Sequence, residues 1–495
     1  GIFGINCQYF EKTYEGKKPS ESANNLLNRI KKIGPLLPDE VYNICRDEGL
    51  CPYEVTKVLT KDADIMIGSY NYILINAIRG SILGSARMSL QEVNCVFDEA
   101  HSLPYYAANL LSEELSTRSV GRAYKEAEKF GTSGSDLLRA LYKSMIKLGK
   151  KAYRKCGLDT EHLIRENVLF ETVSDVLGIN YEQLLDAVEE LVEAGEIVRQ
   201  KRSEEGKNPI SYIARCADFL LNWKKATGLG YVRYVKVDED DDKRKHVRLG
   251  IRCLDPALTA SVINELRSAI LMSGTLWHRK YYIDVLGLEE NRCQELELPS
   301  PFPRENRLLL VDKAVTTKFE KRNEIQWRRI ADHLQQIIQN MNGRVAVYFP
   351  SYDIMRKISE LLKDDYPALI ERKRTKISEV LNFLKRHKKC VILGVARGKI
   401  SEGVDMTTEG RSLLSAVILV GLPFPKKTEL QEALYRYFDE KFGTKAMEYA
   451  SIIPCLNALA QSAGRLLRSP KDRGVVIIMD SRAAGWFKHK LPEDW

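Results

Sequence analysis

The sequence predicts an α/β protein with parallel sheet in two regions and a long helical excursion between them. Three observations predict it. Short, continuous apolar runs alternate with helix-like segments through the C-terminal third. Similar runs lie at 64–68, 93–97 and 268–272. Between the last two, residues 105–225 keep helical spacing and carry few strand signals.

The C-terminal strands are read at 308–311 (LLLV), 344–349 (RVAVYF), 390–395 (CVILGV), 416–421 (AVILVG) and 474–480 (GVVIIMD). These runs are unbroken rather than alternating, as expected of strands covered on both faces. Helix-like segments such as 327–341 and 351–362 separate them. Strand–helix alternation of this kind specifies a doubly wound parallel sheet, placed at 300–495.

Nearer the N-terminus, 64–68 (DIMIG) and 93–97 (VNCVF) read as buried strands with polar residues at their C-terminal ends. In open α/β sheets ligands bind at those ends. A third strand at 268–272 (SAILM) joins the same sheet after the excursion. Within the excursion, Leu184, Leu185, Val188, Leu191 and Val192 hold helical spacing with carboxylates on the other face. Segments 231–237 (YVRYVKV) and 246–251 (HVRLGI) read as a two-stranded ribbon, and the DEDDDKRK run between them as a solvated loop. The expected divisions are 1–54, 55–104, 105–225, 226–299 and 300–495. The first of these shows few apolar residues for a core of its own.

A chain of 495 residues exceeds one hydrophobic core and suggests roughly three domains. With 44% hydrophobic and 29% charged residues it belongs with soluble globular proteins. No apolar run reaches the ~18 residues of a membrane span, and the first residues carry no secretory leader pattern. The charge balance, 76 − 67 = +9, permits a polyanionic partner without requiring one. Ten cysteines are too few for a disulfide scaffold, and Cys95 and Cys390 fall inside apolar runs, so a reducing compartment is expected.

Four polar clusters follow strands. Asp98-Glu99-Ala100-His101 places two carboxylates after the 93–97 strand. One can hold Mg²⁺ and the other can orient or deprotonate water; the same residues also fit a helix start with a carboxylate near the dipole. Gln461 to Arg468 (QSAGRLLR) sets Arg465 and Arg468 three apart, so that on a helix both guanidinium forks could reach one phosphate chain; a solvated basic face is the alternative. Ala396 to Asp405 (ARGKISEGVD) combines Gly398 and Gly403 with Arg397, Lys399 and Asp405 in a strand-to-helix loop. Ser273-Gly274-Thr275-Leu276 is a small polar turn.

Taken together and in this order, the clusters resemble the motifs of superfamily 2 helicases. DEAH resembles motif II, SGTL motif III, ARGKISEGVDM motif V and QSAGRLLR motif VI. Within that superfamily the likeness is to XPD-type iron–sulfur helicases. It is supported by Cys51-Pro-Tyr-Glu, Ser69-Tyr-Asn-Tyr-Ile, Cys253-Leu-Asp-Pro and Gly421-Leu-Pro-Phe-Pro, and it runs from about residue 7 to 484.

The resemblance implies two RecA-like domains that close on ATP and move 5′→3′ along single-stranded DNA, with 105–225 as a helical arch. By position it makes Asp98 and Glu99 the Mg²⁺-binding and water-activating pair. His101 and Ser273 to Thr275 would couple nucleotide to DNA. Gln461, Arg465 and Arg468 would face the phosphates, one arginine serving as the finger, while Gly403 and Asp405 would sense both ligands. Arg397 and Lys399 are candidate phosphate contacts on the DNA path. Tyr70 and Tyr72 are candidate base-stacking faces, with core packing as the alternative.

The family's [4Fe–4S] cluster uses four cysteines; Cys51 matches the last and Cys7 the third, leaving 1–54 as a remnant of that segment. Cys45 reads as a bystander, and a three-ligand zinc site on Cys7, Cys45 and Cys51 is a poor alternative. No GxxxxGK[ST] occurs in the 495 residues. With the absent initiator Met and the two unmatched cysteines, this reads as an N-terminally truncated portion expected to hydrolyse ATP poorly by itself. The expected partners are single-stranded DNA and DNA junctions, with a repair or transcription-factor complex, no membrane, and a monomeric state. The compact C-terminus suggests an archaeal-like cytoplasmic enzyme, or a nuclear one in a eukaryote. Two other readings stay open: a DinG-like helicase, and a non-catalytic nucleic-acid-binding scaffold.

Overall fold

The computed structural model describes residues 7–240, 242–363, 365–372 and 374–491, with only the backbone of Glu402. Parts of three expected segments lie outside these: residues 1–6 of the N-terminal remnant, Asp241 of the charged run, and Asp364, Lys373 and 492–495 of the last domain. The chain forms two compact units. One comprises Gly1–Met272, Tyr282–Cys293 and Thr428–Tyr437; the other comprises Ser273–Tyr281, Gln294–Lys427 and Phe438–Trp495.

The second unit is built on a six-stranded parallel sheet. Its spatial order is Ala368–Ile370, Cys390–Val395, Arg344–Phe349, Ala416–Leu419, Gly474–Ile478, Arg307–Val311. The central strands are buried along their length because both faces are covered. Alternate residues serve opposite cores. Val345, Val347 and Phe349 pack with Trp327, Ile330 and Leu334 of the helix Glu324–Gln339, and with Ile354 and Ile358 of Tyr352–Ser359. Ala346 and Tyr348 face Val380 and Leu384 of Ile377–Arg386, and Leu456 and Leu459 of Ile453–Ala463. All five expected strands are present. The sixth, Ala368–Ile370, is a three-residue edge strand too short to register as an apolar run.

In the first unit, Asn94–Phe97 and Ser268–Leu271 pair in parallel, as expected of one sheet. One face of the pair is open, with Val96 and Ile270 more than half exposed. The strand expected at 64–68 does not form. Its backbone pairs with no strand among the described residues, and Ile65 and Ile67 are 80% and 96% exposed. An apolar run becomes a strand only where a neighbour completes its hydrogen bonds.

The expected poverty of the N-terminal segment is also corrected. Helices Glu21–Ile33, Pro38–Asp47 and Pro52–Leu59 enclose Ala23, Leu26, Leu27, Ile30, Cys45, Leu50 and Val55. Residues 23, 26, 27 and 30 fall on one face of a helix that starts where Ser20 Oγ accepts from the amide of Ala23.

The excursion is helical but not purely so. Helices Thr117–Phe130, Ser135–Cys156, Val168–Leu177, Tyr181–Glu204 and Tyr212–Lys225 pack on a four-stranded antiparallel sheet. The expected ribbon, Tyr231–Glu239 with Lys245–Cys253, forms its centre; Glu113–Ser116 and His162–Ile164 flank it from within the excursion. One core, including Leu141, Met145, Trp223, Val235 and Leu249, unites helices and sheet. Leu184, Val188 and Leu191 point into it as their spacing predicts.

Candidate functional site

In the first unit, Asp98 and Glu99 leave the sheet directly after Phe97. Glu99 adopts φ 49, in the left-handed region that side chains disfavour. The turn is held from several sides. Asp98 Oδ1 accepts from the Glu99 amide at 2.9 Å, and Ala100 N–H donates to Met272 O at 3.0 Å. Glu99 Oε2 lies 3.2 Å from His101 Nδ1. Burial lowers the pKa of His101, although the Glu99 carboxylate opposes that shift. Tyr70 donates its hydroxyl to the Asp98 carbonyl, while its ring packs against Phe97 and edge-on against Tyr106. Tyr70 is therefore engaged within the chain, and core packing accounts for it better than base stacking does. Glu99 remains 65% exposed. Two hard-oxygen carboxylates at a strand end fit a magnesium ion brought by a phosphorylated substrate.

In the second unit, the loop after Cys390–Val395 is built around Glu371, a carboxylate only 2% exposed. Glu371 Oε2 accepts from Val395 N at 2.8 Å and Oε1 from Ile400 N at 3.3 Å. A Cβ on Gly398 would meet both Glu371 oxygens at 2.8 Å and Val395 O at 2.7 Å, so the residue must be glycine. The preceding Arg397 takes φ 66 and donates from Nη2 to Pro454 O at 2.6 Å. The short helix Lys399–Gly403 follows.

Arg465 clamps that helix from the far side. Its Nε donates to Ser401 O at 2.8 Å and its Nη1 to Val404 O at 3.0 Å. Arg468 differs: its Nε is 3.8 Å from Asp405 Oδ1, and its side chain is 36% exposed. Asp405 also accepts from Thr407 Oγ1 at 3.0 Å. The expectation that both arginines share a helix face is corrected. The helix Ile453–Ala463 is capped by Gly464, so both fall in the turn beyond it, Arg465 bonding to the backbone carbonyls of Ser401 and Val404 and Arg468 standing by the neighbouring Asp405 side chain. Gln461, still on the helix, donates from Nε2 to Thr275 Oγ1 at 2.8 Å. Thus Gln461 and Thr275 are joined, Arg465 supports the helix ending at Gly403, and Arg468 stands by Asp405.

Two residues escaped the sequence reading. Glu371 carried only the signal of a charge directly after a short apolar run. Asp480, fully buried at the end of Gly474–Ile478, accepts from Thr316, from the amide and hydroxyl of Thr317, and twice from Arg482 at 2.8 and 2.7 Å. Its signal was the carboxylate that ends a long apolar strand, two residues before an arginine.

Cys7 and Cys51 each precede a helix, Gln8–Thr13 and Pro52–Leu59, and are half-buried. Cys45 is buried among apolar side chains, which push its thiol up to about 11. No group of three or more His, Cys, Asp or Glu able to hold a metal occurs among the described residues. The described residues thus do not fit a four-iron cluster or the three-cysteine zinc alternative by themselves.

Residues 3–120 match the DEAD_2 family, 123–321 the Helical and beta-bridge domain, and 334–495 the Helicase C-terminal domain. These three matches follow one another over nearly the whole chain. The chain belongs to the XPD-type helicase superfamily. The relatives of this XPD-type chain include the ATP-dependent DNA helicase XPD of Sulfolobus acidocaldarius, 27% identical, covering 97% of this chain and 78% of the relative. The ATP-dependent DNA helicase CHL1 of Meyerozyma guilliermondii is 25% identical over 92% of this chain and 60% of its own length. A regulator of telomere elongation helicase 1 homolog of Oryza sativa is 22% identical over 90% and 50%. The chain thus spans between half and about four-fifths of these relatives. A solved XPD helicase structure aligns with TM-score 0.69 at 22% identity, covering 98% of this chain and 82% of the other. The S. tokodaii Xpd4 structure aligns with TM-score 0.60 at 20% identity, covering 89% and 86%. Both support the same α/β architecture. No described helix is long and apolar enough to cross a membrane.

Proposed function

We propose that this XPD-type chain is the motor part of an ATP-dependent DNA helicase that moves 5′→3′ on single-stranded DNA and serves DNA repair. The observation that carries the reading is the Asp98–Glu99 pair, held beyond a strand end by a left-handed Glu99. Superfamily membership and the names of the relatives support it.

The roles divide between the units. In the first, Asp98 holds the Mg²⁺ that enters with ATP, and Glu99 takes a proton from the attacking water. His101, kept neutral by burial, can pass a hydrogen bond to Glu99. In the second, Arg468 is the arginine finger, because its guanidinium is partly exposed and only weakly paired. Arg465 is spent on the carbonyls of Ser401 and Val404 and acts by shaping the loop that carries Gly403 and Asp405. Gln461 and Thr275 link the nucleotide-facing turn to the loop at 273–275.

The test is Glu99→Gln in the whole protein. Nucleotide binding should persist while kcat falls roughly 10²–10⁴-fold, the range for losing a positioned base. Near-normal turnover would remove Glu99 from this role. A protein that binds single-stranded DNA but never hydrolyses ATP would instead support the non-catalytic scaffold.

A further inference from the structure

The helix Ser135–Cys156 packs one face into the core through Leu137, Leu138, Leu141, Met145, Leu148 and Ala152. Its opposite face carries Arg139, Lys143, Lys147, Lys150 and Arg154, all exposed. Their spacing of four, four, three and four residues keeps them in one line over roughly 22 Å, about one cation per turn. The helix has a single acidic residue, Asp136, in its first turn. None of Lys143, Lys147, Lys150 and Arg154 forms an ion pair among the described residues, whereas Lys155, round the side, pairs with Glu429 at 3.0 Å.

This is not how a merely solvated helix is built. Solvated faces interleave opposite charges at i, i+4, whereas like charges at that spacing destabilise by about 0.2–0.5 kcal/mol a pair. Here Arg139–Lys143, Lys143–Lys147 and Lys150–Arg154 are all like pairs. The helix Tyr181–Glu204 differs: it carries Glu182, Asp186, Glu189, Glu190, Glu193 and Glu196 on its surface, with Arg199 paired to Glu196 at 3.4 Å. On Ser135–Cys156 one sign of charge prevails along the exposed face from Arg139 to Arg154. Two tyrosines flank the basic line: Tyr142, 42% exposed, and Tyr153, whose ring carries the Lys245 ammonium over its face at 4.1 Å.

We propose that this face is a binding track for a single DNA strand, separate from the motor motifs. Regularly spaced cations along a straight line match the repeating charge of an extended phosphate backbone better than the irregular carboxylates of an acidic protein. The exposed ring of Tyr142 beside the line offers a stacking face to an unpaired base, and Lys245 over Tyr153 adds a further cation there. The inference rests on the helicase reading for its ligand, but none of its residues belongs to the motor motifs.

The experiment compares the wild-type chain with a quadruple variant, Lys143→Ala, Lys147→Ala, Lys150→Ala and Arg154→Ala. Fluorescein-labelled oligothymidylate of thirty nucleotides is titrated by anisotropy from 50 to 200 mM salt. All four side chains are exposed, so the melting temperature should hold. The slope of log Kobs against log salt should become shallower by about 3, at about 0.7 for each phosphate that the variant no longer neutralises. Tyr142→Ala should weaken binding without changing that slope. A control pair, Glu189→Gln with Glu193→Gln, separates a local track from net charge and should not make the slope shallower. An unchanged slope in the quadruple variant overturns the track, as does absence of wild-type binding. Displacement of the oligonucleotide by polyglutamate at equal charge would assign the face to an acidic polypeptide instead. Glu99→Gln turnover answers separately, so failure of the track leaves the motor reading standing.

Discussion

Gln461 donates from its side-chain amide to the hydroxyl of Thr275 at 2.8 Å, joining two segments 186 residues apart in the chain. Thr275 is 6% exposed, and its own amide donates a further bond to Ser273 Oγ at 3.2 Å. The loop at 273–275 is therefore tied to the helix that leads into the arginine turn. A shift of one segment must break the tie or carry the other along.

Thr275→Val removes the hydroxyl and keeps the shape. Stability should fall by about 1 kcal/mol, the usual net worth of such a bond. If the tie transmits DNA binding to the nucleotide, stimulation of ATP turnover by single-stranded DNA should drop more than the DNA-free rate. The ratio of the two rates, measured in the whole protein, checks this. An unchanged ratio would reduce the bond to a structural contact.

The two arginines should separate cleanly. Arg468 makes one long, exposed pair with Asp405, worth at most about 1 kcal/mol. Arg468→Ala should leave the melting temperature nearly unchanged yet cost turnover about 10³-fold or more, the range of a lost finger. Arg465→Ala releases two carbonyls, each bonded to a charged donor worth about 1.5–3 kcal/mol. It should lower the melting temperature and speed amide exchange in residues 396–405. The opposite pattern would exchange the two roles.

Asp480 supplies a pH prediction. Burial alone would raise its pKa, but the bonds and charge of Arg482, with the amides of Thr317 and Arg482, hold it below the ordinary carboxylate value of 3.8. A carboxylate depressed in the folded state contributes stability above its unfolded pKa and loses it as pH falls through the folded one. Asp480→Asn should thus cost about 3–5 kcal/mol at pH 7, because Arg482 loses a buried partner. The gap to wild type should narrow below about pH 4, where the unfolded carboxylate takes up its proton. Urea unfolding at neutral pH and again about one unit below that threshold measures both effects. A gap that persists in acid would mean that packing, not charge, sets the cost.

These residues also show what was readable in advance. Strands covered on both faces declare themselves, and Arg344–Phe349 and Cys390–Val395 end where their apolar runs end. The same rule misled at 64–68, because an apolar run does not reveal whether a partner strand exists. Motif spacing singled out Asp98, Glu99, Gln461 and both arginines as candidates. It could not show that Gly464 ends the helix, or that Arg465 spends its donors on the carbonyls of Ser401 and Val404 while Arg468 stands by Asp405. Glu371 stayed hidden for a different reason. It acts through two backbone amides 24 and 29 residues away, and such a contact leaves no mark in local sequence.

Glu371 therefore gives the sharpest structural test of the second unit. Its two oxygens accept from Val395 N and Ile400 N, one on each side of the tight turn at Gly398. Glutamine has the same shape but only one acceptor oxygen. Its NH₂ group would face one of these N–H groups, so one buried donor must lose its partner. Glu371→Gln should cost about 1–3 kcal/mol, and amide exchange should quicken at Ile400 and Val395 before the rest of the sheet. Arg465 holds the same short helix from its other side, so the two substitutions share a target. A double variant, Glu371→Gln with Arg465→Lys, should cost measurably less or more than the sum of the singles, because residues in one network do not add. Strict additivity, or exchange that quickens uniformly across the sheet, would show that Glu371 does not hold this loop.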